Sequence, residues 1–137
     1  MAYWLVKDEP ESWSYAMHAA EGVAAWDGVR SHAAAAHLRK MKKGDRAFFY
    51  HSVTEKALAG VLEVVREHYP DPTADEGNWV AVDFKAVTPV VRQATLAEIK
   101  AEPKLANIAL IRQSRLSVMP LTAAEWATLC KMAGVKA

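Results

Sequence analysis

Between Trp26 and Ser52 the chain reads WDGVRSHAAAAHLRKMKKGDRAFFYHS, the stretch around which the rest of the protein is organised. An aromatic and a tight Asp27-Gly28 turn lead to a solitary Arg30, and Ser31 then stands where a helix N-cap belongs, ahead of an alanine-rich helix. The buried stripe of that helix, drawn from the alanines at 33 to 36 with Leu38 and Met41, is narrow and mostly methyl-sized, so the helix lies close against its neighbour. It ends in a basic run, Arg39, Lys40, Lys42 and Lys43, turns at Gly44-Asp45, and returns as the apolar strand Arg46 to Ser52. Alternation puts Phe48, Tyr50 and Ser52 on one face of this strand and Ala47, Phe49 and His51 on the other. Rings, hydrogen-bonding groups and positive charge are thereby gathered in one helix-turn-strand unit.

The rest of the chain supplies a frame for that unit. Tyr3 to Val6 reads as a short strand that Pro10 brings to an end. Ser14 caps a short helix closed by Gly22, and Trp26 ends another extended piece. Ala57 to Val65 is an apolar strand in which Gly60 marks a bulge or a close approach to the backbone. A loop from Tyr69-Pro70-Asp71-Pro72 to Asp75-Glu76-Gly77 precedes Trp79 to Val87, where Val80, Val82 and Phe84 point inward and Asp83 and Lys85 outward. Thr95 to Lys100 reads as a short helix, Leu105 to Leu110 as irregular, and Leu116 to Met119 as a last strand stopped by Pro120. Thr122 and Glu125 form a capping box that starts a terminal helix to about Ala133, with Gly134 as its C-cap and Trp126, Leu129, Cys130 and Ala133 as its core stripe. Several short strands edged by helices specify an α+β domain on a small, strongly curved mixed sheet. A chain of 137 residues suits a single domain over 1–137 with a core of its own.

Catalysis would leave the sharpest marks, and the marks are missing. His51 and Ser52 are strand neighbours on opposite faces, unsuited to a nucleophile-base pair. The lone Cys130 falls on a core stripe. No histidine or cysteine pair has zinc spacing, and no glycine-rich loop cradles phosphate, so neither a metal nor a cofactor is expected. No stretch reads as a signal peptide or a membrane span, and a cytoplasmic protein is expected. The net charge of +1 argues against a protein that grips many phosphates by charge alone. Its distribution is uneven, however: basic from Arg30 to Arg46 and acidic from Glu55 to Asp83, as in a molecule with one basic face. Trp4, Trp26 and Tyr50 each lie beside polar groups, an arrangement suited to stacking a flat base while a carboxylate or hydroxyl reads its edge.

WLVKDEP near the start, WDGVR, LRKMKKGDRAFFYHS, Ala59-Gly60, Tyr69-Pro70-Asp71 and RQSRLSVMPLTAAEW together resemble the EVE domain family, in that family's order and over nearly the whole chain. The resemblance implies a PUA-like fold, a curved mixed sheet forming a pseudo-barrel with peripheral helices, related to YTH and ASCH domains. It also implies a noncatalytic module that binds nucleic acid carrying a modified base, with modified cytosine in DNA as the leading ligand and modified RNA as the second. By motif position Trp26 resembles a cage wall, with Ser31, Tyr50, His51 and Ser52 near the pocket and Trp4 and Asp8 on its other side. Arg30, Arg39, Lys40, Lys42, Lys43 and Arg115 would contact phosphate. Two positions depart from the pattern: Ser31 stands where the family commonly has asparagine, and Asp8 where it often has serine or threonine. A small-ligand or enzymatic PUA-like domain acting on a nucleoside-like molecule is the alternative.

Overall fold

The computed structural model describes residues 1–136. Among them, six strands form one mixed sheet: β1 (Tyr3–Asp8), β2 (Val23–Trp26), β3 (Arg46–His51), β4 (Ala57–Pro70), β5 (Val80–Pro89) and β6 (Val118–Leu121). Their order across the sheet is β2-β5-β4-β3-β1-β6, and the sheet is not closed. Only the β1–β3 pair is parallel; its connection contains α1 (Tyr15–Glu21), β2 and α2 (His32–Lys40). The other described helices are α3 (Leu96–Ala101), α4 (Ala109–Arg112) and α5 (Ala123–Ala133).

Local sequence accounts for most boundaries. The Ser14 and Ser31 hydroxyls accept from the amides of Met17 and Ala34, and Thr95 and Thr122 each form a full capping box. Gly134, in the left-handed region, closes α5 as its position after the core stripe requires. Strand β3 lies between β1 and β4 with both faces covered, so Ala47 through His51 are all buried. On one face Phe48 meets Trp126 of α5 at 4.6 Å, and Tyr3 stacks on the same indole at 4.7 Å. On the other, Phe49 meets Trp26 edge-on at 5.0 Å and Tyr15 at 6.0 Å. The two half-cores explain why one strand carries aromatic residues on both sides.

Gly60 holds both properties read from its sequence. The ladder slips between Phe49 and Tyr50 opposite it, which is the bulge. A Cβ placed there would lie 2.3–2.5 Å from the Tyr15 ring, whose hydroxyl donates to the Val61 carbonyl. The approaching group is therefore the chain's own tyrosine. Several boundaries differ from expectation: β1 runs on past Val6 to Asp8 and β5 past Val87 to Pro89. Strand β4 continues past Val65 to Pro70, because Tyr69 and Pro70 pair with Ala81 and Val80, which takes both out of the loop. Pro120 lies inside β6 rather than ending a strand before it: β6 is the sheet's edge and tolerates a residue with no amide hydrogen. The irregular stretch resolves into a 3-10 turn at Pro103–Leu105 and the short α4.

Candidate nucleic-acid interface

Strand β1 ends at Asp8, Pro10 turns the chain toward Trp13, and β2 runs back past α1 to Trp26. Between these segments lies a cavity of about 460 Å³ lined by Asp8, Trp13, Glu21, Ala24, Ala25 and Asp27, with Ser12 at its edge. Trp13 precedes the Ser14 cap and is held in place by a buried neighbour. Its indole N–H donates to His18 Nδ1 at 3.1 Å, while His18 Nε2 lies 2.9 Å from the Phe84 carbonyl. An indole only donates, so Nδ1 is the acceptor, Nε2 carries the hydrogen, and the imidazole is neutral. Burial depresses the His18 pKa, which favours the same neutral form.

Asp8, half-buried, and Asp27, exposed, are two of the pocket's acids. Burial raises the pKa of each; for Asp27 the neighbouring Asp71 charge adds to it. Asp8 Oδ1 accepts the adjacent Glu9 amide at 2.7 Å. Trp26 stands behind the pocket rather than at its mouth. It is 5% exposed, and its ring is engaged edge-on by Phe49 and Phe84. Its chain neighbours Ala25 and Asp27, not its own ring, line the cavity.

The other residues singled out in the sequence fall into separate groups. His51 shares a sheet face with Phe49 and Asp8, but its nitrogens are occupied: Nε2 accepts the Tyr15 amide at 3.0 Å, leaving Nδ1 to donate to Glu55 at 2.8 Å. Ser52 closes the end of β3 by donating its amide to the Asp8 carbonyl at 2.9 Å. Tyr50 pairs with Lys7 and lies on the opposite sheet face, buried, so the structure does not bring it beside Trp26. Trp4 is also buried, four residues along β1 from Asp8, with its indole N–H on the Asp45 carboxylate at 3.0 Å. That carboxylate also accepts the Ala2 and Lys42 amides.

Positive charge is distributed in three places. Arg30 reaches Asp71 at 3.0 Å and Thr73 at 3.1 Å and lies over Trp79, a lock between two loops. Arg39 donates to the Asn78 carbonyl, whereas Lys40, Lys42 and Lys43 rim an open cleft at the C-terminal end of α2, beside Met1 and Ala2. Arg115 and Ser31 face each other across a shallow depression with Gln113 and Ser114. The loop carrying Arg115 is tied to β1 next to Asp8, because Lys7 Nζ donates to the Ser114 carbonyl at 2.8 Å. Sequence reasoning missed Trp13 and Glu21. For Trp13 a signal existed: a tryptophan between Ser12 and Ser14, immediately before a helix cap, has no periodic apolar company to bury it.

An open, curved six-stranded mixed sheet with peripheral helices defines a PUA-like α+β domain. The chain belongs to the EVE domain family, whose profile matches residues 2–132. It is 35% identical to human thymocyte nuclear protein 1 over 91% of this chain and 71% of that protein. An NMR structure of a Rhodopseudomonas palustris protein, 52% identical, superposes with a TM-score of 0.92 over 98% of this chain and 94% of that one. Human THYN1 in complex with DNA containing 5-methylcytosine is 32% identical, with a TM-score of 0.90 over 100% of both chains. Among the described residues no group of three or more His, Cys, Asp or Glu is arranged to hold a metal ion, and no helix is long and apolar enough to cross a membrane.

Proposed function

We propose that this chain is a noncatalytic module that recognises a modified base in nucleic acid, with modified cytosine in DNA as its ligand. The observation that carries the reading is the cavity at the ends of β1, α1 and β2, lined by a fixed indole, Trp13, together with Asp8 and Asp27. A base stacked on an aromatic wall gains roughly 1–3 kcal/mol, and a carboxylate is the natural acceptor for the exocyclic amine of cytosine. Trp26 stands behind this wall, with His18 between the two indoles, and Ser52 is tied to Asp8 through its amide. Human THYN1, related over the full length of this chain, was crystallised on DNA containing 5-methylcytosine, which supports cytosine as the base.

Lys40, Lys42 and Lys43 then serve the backbone. Helix α2 rises about 13 Å along its axis at 1.5 Å per residue. Its basic end therefore lies about four base-pair steps from its Ser31 end, within reach of phosphates flanking the same site. Arg115, on the loop tied beside Asp8, is a closer phosphate partner. The noncatalytic reading is supported by the state of the candidate groups. Both nitrogens of His18 and of His51 have partners, and burial pushes the Cys130 thiol up to about 11, where no reactive thiolate forms at neutral pH.

The test is equilibrium binding to matched oligonucleotides, DNA and RNA, unmodified or carrying one methylated or hydroxymethylated cytosine or one methylated adenine, over a salt series. A preference for modified cytosine in DNA that persists as salt rises is the expected result. Equal affinities that collapse together with salt would reduce the protein to a basic surface. A preference for the RNA ligands would reassign the polymer.

A further inference from the structure

We infer that the pocket filters bases by charge, admitting a heterocycle with an amine edge and a neutral substituent at C5 and turning away one whose C5 substituent is anionic. This rests on the base-binding reading above and sharpens it to a class of base.

Asp8, Glu21 and Asp27 contribute carboxylates to one cavity whose lining includes no lysine or arginine. Among the described residues none of the three acids forms an ion pair. The cations that might neutralise them are committed elsewhere. Arg30, three residues after Asp27, is spent on Asp71 and Thr73. His51, on the same sheet face as Asp8, has both ring nitrogens engaged, Nε2 by the Tyr15 amide and Nδ1 by Glu55. His18 is kept neutral by the Trp13 indole on its Nδ1. Asp8 has one short hydrogen bond, from the amide next in sequence, and its second oxygen is free to accept.

A cluster of acids alone would suit a cation as well as an amine. Two features select the aromatic amine. The described acids are not grouped to hold a metal ion, and the lining they share includes an indole whose N–H is already bound to His18, which leaves its π surface for a ligand. Cytosine offers this site an N4 amine for a carboxylate and a flat ring for the indole. A methyl or hydroxymethyl group at C5 adds no charge. A carboxylate at C5 brings a fourth negative charge into a space of about 460 Å³ already holding three acids. Confined with those carboxylates, the added charge is expected to weaken binding by about tenfold.

The experiment compares duplexes that differ only at C5 of one cytosine, bearing hydrogen, methyl, hydroxymethyl or carboxylate, bound to the intact protein at pH 7.5 and fixed ionic strength. The carboxyl duplex is expected to bind at least about tenfold more weakly than the methyl duplex. In Asp27→Asn and in Glu21→Gln, both at exposed positions and neither required by the core, that ratio should shrink by about threefold or more, because each removes one repelling charge. Lys42→Ala should lower every affinity and leave the ratio as it was. Equal binding of methyl and carboxyl duplexes, or a ratio unmoved in both acid variants, overturns the filter. If the methyl duplex still exceeds the unmodified one in that case, base recognition stands without it. If no duplex is distinguished from any other, base recognition and the filter fall together.

Discussion

Asp71 is the residue through which the pocket's approach is held in shape, and replacing it with asparagine tests that role quantitatively. Its side chain is fully buried and accepts four hydrogen bonds: from the Gly28 amide at 2.8 Å, Arg30 at 3.0 Å, the Thr73 amide at 2.8 Å and the Thr73 hydroxyl at 2.7 Å. Burial by itself pushes this carboxyl up, but the bonds from Thr73, Arg30 and Gly28 outweigh it and hold the pKa at about 2, against an ordinary 3.8. At 1.36 kcal/mol per pH unit that lowering corresponds to roughly 2–3 kcal/mol of stability at neutral pH. The contribution is complete above the unfolded value of 3.8 and is lost as the pH falls through about 2. Asparagine keeps one acceptor oxygen and turns an NH₂ toward groups that are themselves donors. Asp71→Asn should therefore lower the Tm at pH 7 by about 6–10 °C, at roughly 3–4 °C per kcal/mol for a domain of this size. Circular dichroism melts of parent and variant from pH 7 to pH 2 measure it, and the gap between the two should close toward pH 2. A loss of less than about 2 °C at pH 7, or a gap that persists undiminished at pH 2, refutes the assignment of Asp71 as an ionised hub.

Gly60→Ala forces a methyl group to within 2.3–2.5 Å of the Tyr15 ring, and overpacking of this kind costs about 1–3 kcal/mol or more, read as a lower urea midpoint. Shortening the ring in Tyr15→Leu should recover part of that loss. Trp13→Ala and Trp26→Ala should separate recognition from folding. The first removes the preference for the modified base with a modest effect on the melt; the second, at a residue locked edge-on by Phe49 and Phe84, costs about 3–5 kcal/mol of stability. The double change Lys42→Ala with Lys43→Ala should weaken modified and unmodified ligands alike and make the salt slope shallower by about 0.9 for each phosphate contact removed. A selective loss of the modified ligand would place the lysines in the pocket instead.

The local parts of this fold are written locally. Ser14, Ser31 and Thr122 each announce a helix because a short acceptor side chain stands immediately before a helix-forming run, and each caps the helix it announces. The bulge at Gly60 is legible for the same reason, since a strand interior gives up a side chain only where geometry requires it. Long-range partners are not legible in this way. Arg30 carries the marks of a phosphate contact in the sequence, and the acid that occupies it lies 41 residues downstream, across a loop. Trp4 has polar neighbours in sequence, yet its N–H belongs to Asp45, which β1 reaches only because it pairs in parallel with β3. Tyr50 and Trp26 are placed together by motif order and separated by strand alternation once β3 is central. The pocket was legible in part: Asp8 through its motif, whereas Trp13 depends on His18, whose buried position between Trp26 and Phe49 has no local signature.

Amide and indole chemical-shift mapping of the isotopically labelled protein, titrated with a duplex containing 5-methylcytosine and with its unmodified twin, tests the central claim most directly. A base received in the pocket perturbs Asp8, the Trp13 indole, Ala24, Ala25 and Asp27 with the methylated duplex far more than with the twin, while Lys40, Lys42 and Lys43 respond to both. Shifts confined to the lysines and identical for the two duplexes would contradict it.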